Sequence, residues 1–93
     1  MAMYVIEREL PGAGAMSPQE LQQLSVKSVG ILRDMGPGIQ WVHSYVSDDK
    51  IYCVYHADSP TLIEEHARCG GFPVNRIARV RTVIDPSTAE TGA

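Results

Sequence analysis

No stretch of this chain comes near the run of about 18 apolar residues that a membrane-spanning helix needs. Basic charge is also scarce. Eight Lys and Arg stand against eleven Asp and Glu, giving a net charge of -3 and a pI near 5.5. The eight are scattered and form no stripe, which argues against a nucleic-acid surface. The start, MAMYVIEREL, has no basic segment leading into a long apolar one, so no signal peptide is expected and the chain is assigned to the cytoplasm. With two cysteines, Cys53 and Cys69, there is no disulfide framework, and both thiols are expected to stay reduced. The segment GAGAM (12–16) lacks the Lys of a phosphate-binding loop and reads as a plain connection.

What is present fits one small soluble domain. At 93 residues, 44% apolar and 20% charged, the composition is that of an ordinary globular protein with a single core. The domain is expected over 1–86, with 87–93 a flexible, polar C-terminal tail without an apolar face.

The pattern resolves into six elements. MYVIERE (3–9) alternates like a strand, and LPGAGAM (10–16) interrupts it. SPQE opens a helix over 17–35, with Ser17 as cap, Pro18 at the first helical position and Glu20 completing a capping box. Leu21, Leu24, Ser25, Ser28, Ile31, Leu32 and Met35 form its packing stripe, and Gly36 is read as a left-handed cap. Two strands, 39–47 and 50–57, flank a polar turn at Asp48 and Asp49. A second helix starts at Ser59 and Pro60 and stops at Gly70 and Gly71; a final strand covers 75–85. The order β-α-β-β-α-β predicts an α+β, ferredoxin-like plait: a four-stranded antiparallel sheet in order 4-1-3-2 with two helices on one face. The other face is bare, and a bare aromatic face usually meets a second subunit.

Faces follow from the hairpin register. If Ser47 pairs with Lys50, then Trp41, His43, Tyr45, Tyr52, Val54 and His56 share one face, and Val42, Ser44, Val46, Ile51, Cys53 and Tyr55 share the other. The second, more aliphatic set is expected under the helices. Glu7 and Glu9 join the bare face if Tyr4 and Ile6 point to the helices, but Met3 and Val5 would serve equally well as core.

Two constellations have metal-binding chemistry. His43 and His56 with Glu7 or Glu9 make an imidazole and carboxylate set that suits Ni(II), Zn(II), Cu(II) or Fe(II), completed by water or a second subunit. The plainer reading makes the histidines amphipathic dimer-face residues. On the second helix, Leu62, His66 and Cys69 recur on one face, so His66, Cys69 and Cys53 can meet beneath it as a softer site. A buried Cys is equally an ordinary small hydrophobe. Cys53 or Cys69 with His66 as base makes a weak hydrolytic candidate that lacks an orienting third group. Arg79 and Arg81 are expected to balance Glu7 and Glu9 across neighbouring strands.

The runs MYVIEREL, SPQEL, GPGIQWVHSYVSDDKIYCVYHA and EEHARCGGFPVNRI resemble a family of small actinobacterial proteins with a nickel-binding member, a similarity that covers residues 3 to about 86. The resemblance implies a ferredoxin-like homodimer that binds nickel for storage, buffering or response. Carried onto this chain, the matching positions are Glu7 and Glu9; His43, Ser44 and Tyr45; Cys53 and Tyr55; and His66. His56 and Cys69 lie outside the family pattern. A second function remains open: a dimeric enzyme, oxygenase- or cyclase-like, with Ser44, Cys53, Tyr55 and His66 lining a pocket between sheet and helices and Tyr45 and His56 as further candidates.

Overall fold

The computed structural model describes residues 1–90. Four strands, β1 (Ala2–Glu9), β2 (Ile39–Val46), β3 (Lys50–Ala57) and β4 (Arg76–Arg79), form an antiparallel sheet in order β2-β3-β1-β4. With α1 (Pro18–Met35) and α2 (Pro60–Gly70) packed on one face, this is the expected ferredoxin-like plait.

The first strand settles its own ambiguity. Tyr4, Ile6 and Arg8 point to the helices and are buried, while Met3, Val5, Glu7 and Glu9 line the open face. Ile6 and Ile63, both 0% exposed, sit at the centre of a core that also holds Tyr4, Ile39, Ile51, Cys53, Tyr55 and Ala57.

The helix ends are built from local chemistry. Ser17 accepts a bond from the Glu20 backbone at 3.1 Å, and Glu20 accepts one from the Ser17 backbone at 2.9 Å. Gly36 takes φ 86° and ψ -167°, a region open to glycine but outside the left-handed helical well that the sequence suggests. Gly71, at φ 68° and ψ 25°, is the left-handed cap, on α2. Ser59 stands at the α2 N-cap, but its side chain makes no cap hydrogen bond. Ser17→Ala should therefore cost about 1 kcal/mol in urea denaturation. Ser59→Ala should cost clearly less, and equal losses would contradict this difference in capping.

The hairpin register holds from the turn to His43: Val46 opposes Ile51, Tyr45 opposes Tyr52, Ser44 opposes Cys53 and His43 opposes Val54. A β-bulge at Val42 then shifts the count, so Trp41 opposes Tyr55 rather than His56. Trp41 thereby turns under the helices, half-buried, and donates its indole N–H to Ser44 Oγ at 2.9 Å. Val42 and Val46, both expected in the core, are 45% and 43% exposed. Inserting the bulge takes part of the chain's largest ring out of water at the cost of exposing a smaller valine.

The last strand is shorter than the pattern 75–85. It pairs Arg76 with Glu7 and Arg79 with Tyr4, and Val80 adds one backbone bond to Met3. Beyond that point β1 has almost no residues left to pair with. Arg79 consequently lies beside Tyr4, not Glu7, Arg81 lies past the strand end, and Arg76 is the cation opposite Glu7. Pro86–Glu90 forms an exposed 3-10 helix, so the first part of the expected tail has local structure; residues 91–93 lie outside the described residues. Ala13–Ala15 forms another, docked on the β2–β3 turn through Gly14 N–H to the Asp48 carbonyl at 2.9 Å.

Candidate functional site

The candidate residues divide between the two faces of the sheet. His43 is exposed on the open face, its ring edge-on to Tyr45 at 4.9 Å between centroids. His56 shares that face, half-buried and opposite Met3 and Gln40. Glu7 and Glu9 are also there, but on β1, with β3 between them and His43. Two strand spacings separate backbones by roughly 10 Å.

Glu7 is already engaged. It accepts a bond from Lys50 Nζ at 2.9 Å and stands opposite Arg76. That hydrogen bond and the carboxylate charge hold the Lys50 ammonium above its usual value. Glu9, opposite Lys50 at the end of β1, is exposed. Among the described residues, no three His, Cys, Asp or Glu side chains cluster closely enough to hold an ion.

The other face holds Cys53, Tyr55 and His66. His66 is fully buried, its Nε2 paired with Ser28 Oγ of α1 at 3.2 Å. Its ring packs between Tyr55 at 5.6 Å and Phe72 at 5.3 Å, and Nδ1 has no hydrogen-bond partner. Burial, then the nearby charge of Arg8, push the imidazole below its usual pKa; the Ser28 hydrogen bond offsets part of this. Cys69 does not join this group. It is exposed beside Glu65 and Arg68, because the helix turns Ile63, His66, Ala67 and Gly70 inward instead.

The residue missed by motif reading is Arg8. Only 5% exposed, it lies under the helices and donates to the Pro73 carbonyl at 2.7 Å, to Cys53 Sγ at 3.4 Å and to the Tyr55 hydroxyl at 3.5 Å. Its guanidinium also sits 5.6 Å from the Phe72 ring centroid. Burial pushes the Tyr55 phenol upward in pKa, and the Arg8 cation opposes this. The available signal was strand alternation: once Tyr4 and Ile6 face the helices, Arg8 must follow.

Arg8 borders a cavity of about 280 Å³ between α1 and the sheet, open on one side. Ser44, Cys53 and Tyr55 line it, as the enzyme reading anticipates. His66 does not, and Tyr45 and His56 face the other way. Trp41, Phe72 and Lys27 border it as well.

No helix among the described residues is long and apolar enough to cross a membrane. The structure is similar to the crystal structure of SCO4226 from Streptomyces coelicolor A3(2), with a TM-score of 0.75 and 14% identity over 89% of this chain and 100% of that one. At that identity the likeness concerns the fold. No curated protein matches the chain. A family model described as nickel responsive protein SCO4226-like matches residues 4–80, which is most of the sequence. The chain therefore belongs to the SCO4226-like family of nickel-responsive proteins.

Proposed function

We propose that this protein binds Ni(II) without catalysis, as a cytoplasmic store or buffer within a nickel response, and that the ion sits at the open sheet face between two copies of the chain. The observation that carries this reading is the exposed His43 imidazole on a bare sheet face, in a member of a nickel-responsive family. Imidazole is a good Ni(II) donor, and a two-fold axis across that face would present each ligand twice. Supply from a second copy also fits the lack of any three-ligand cluster within the described residues of one chain. Glu9 is the favoured carboxylate, since Glu7 is held by Lys50. Ligation by His66 would require opening the core, because it is fully buried, and Cys53, on the wall of the cavity beneath α1, has no His, Asp or Glu beside it on that wall. Zn(II) and Cu(II) fit the same donors and should compete.

The cavity beneath α1 is the one observation on the side of an enzyme. The imidazole nearest to it is sealed behind Ser28, Tyr55 and Phe72, so a reading without catalysis is favoured.

Nickel titration by calorimetry on metal-free protein, with sedimentation to read the oligomer, tests the proposal. Micromolar or tighter binding is expected, lost in His43→Ala and retained in His66→Gln. Because a ligating imidazole must be neutral, affinity should weaken as the solution is made acidic. Loss confined to the His66 variant would place the ion under α2. No binding to wild type would refute a nickel-binding role.

A further inference from the structure

The cavity beneath α1 poses a problem separate from nickel. Arg8 carries a permanent charge, is 95% removed from solvent, and has a carbonyl, a thiol and a phenol as hydrogen-bond partners. Among the described residues no carboxylate forms an ion pair with it. A buried cation without a counter-charge is costly, and structures normally pair it. The three bonds use three of the five guanidinium N–H donors, leaving one on each terminal nitrogen.

The cavity wall supplies the rest of a recognition surface. Its side chains include a second cation, Lys27, and no Asp or Glu. The chain as a whole is acidic, so this positive character is local. Leu24, Trp41, Ile51 and Phe72 make the wall largely apolar, while Ser25 and Ser44 add hydroxyls. The volume of about 280 Å³ lies at the lower end of ligand pockets, which admits a small molecule only.

We propose that this cavity binds a small organic acid, a monocarboxylate with a compact apolar or aromatic body, and that its carboxylate pairs with the buried Arg8 guanidinium. The planar fork of Arg suits a carboxylate better than a point-charge cation would. Lys27, whose ammonium lies 5.4 Å from the Phe72 centroid, provides a second positive charge at the wall. The site lies on the opposite face of the sheet from His43, so its occupancy does not depend on nickel.

Trp41 is the chain's single Trp and borders the cavity, so its fluorescence reports filling. Titrating the full-length, metal-free protein with phenylacetate should give a saturable change, with phenylacetamide weaker by about tenfold or more for loss of the charged pair. Inorganic phosphate should compete poorly, having no apolar body. Arg8→Gln should erase the preference for acid over amide, and His43→Ala should leave it unchanged. If Arg8→Gln does not fold, Leu24→Phe, which fills the cavity from α1, should abolish the phenylacetate response. Equal binding of acid and amide would overturn the role of Arg8. Equal binding of phosphate, no saturable response, or a full response in Leu24→Phe would overturn the site.

Discussion

His66→Ala should lower stability by about 2–4 kcal/mol at neutral pH, combining the cavity left by a fully buried ring with an abandoned Ser28 hydroxyl. In a domain of this size each kcal/mol is worth about 4–8 °C in Tm, so the loss is readily measured. The effect should depend on pH. The folded pKa of His66 is depressed, so below the unfolded value of about 6.5 the unfolded chain binds a proton that the folded chain resists. Wild-type stability contributed by the neutral imidazole is then fully present above that pH and declines as the pH falls toward the folded pKa. The penalty of His66→Ala should therefore be smaller at pH 5 than at pH 7.5 in paired thermal melts. An equal penalty at both values would mean that the imidazole is not held neutral in the core, and the case for its inaccessibility to nickel would fall with it.

The second large effect separates two apolar residues that look alike in sequence. Ile6→Ala should cost about 3–4 kcal/mol, near the upper range for a fully buried aliphatic side chain. Ile6 is 0% exposed on the central strand β1, between Cys53 of β3 and Ile77 of β4. Leu24→Ala should cost only about 1 kcal/mol, because Leu24 is half-buried and already borders space open to solvent. Water can occupy the enlarged volume there, which is denied at Ile6. Urea denaturation with unchanged slopes would measure both. Equal costs would show that α1 settles onto the sheet in solution and that the cavity is filled, which would also remove the proposed organic-acid site.

The α1 stripe explains why these residues were hard to distinguish beforehand. Leu21, Leu24, Ile31, Leu32 and Met35 have the spacing of a core-facing helix, yet all five are only partly buried, and Ser28 is the buried residue of that helix. Periodicity reports which side of a helix faces inward, not how closely that side approaches its partner. The approach is set by what stands between the layers. Here Arg8, Trp41, Tyr55 and Phe72 hold space that aliphatic side chains would have filled.

Much of the frame was legible in local chemistry. SPQE specified the α1 cap because its hydrogen bonds close within four residues. The polar turn and the alternation beside it specified the register from His43 to Lys50, since a slip by one residue would have exchanged the two faces. The order of elements led to the strand order β2-β3-β1-β4. Family membership was likewise carried by runs of sequence, and the matched region, 4–80, covers them but for Met3.

Tertiary structure alone decided how the candidate residues are distributed. The bulge at Val42 depends on whether a Trp gains more by packing under α1 than on the open face, and that partner lies far along the chain. Cys69 and His66 sit three residues apart on one helix, and only the rotation of α2 against β3 buries one and exposes the other. The same holds for the charges. Glu7 reads in sequence as a ligand candidate balanced by Arg79 or Arg81, but it is Lys50, 43 positions away, that pairs with it. Alternation puts Arg8 on one face with Tyr4 and Ile6, but only the packing of β1 decides that this face is the core. Caps, turns and alternation are energies of neighbours in sequence, so they are visible there; burial and ion pairing are energies of neighbours in space, and the fold selects those neighbours.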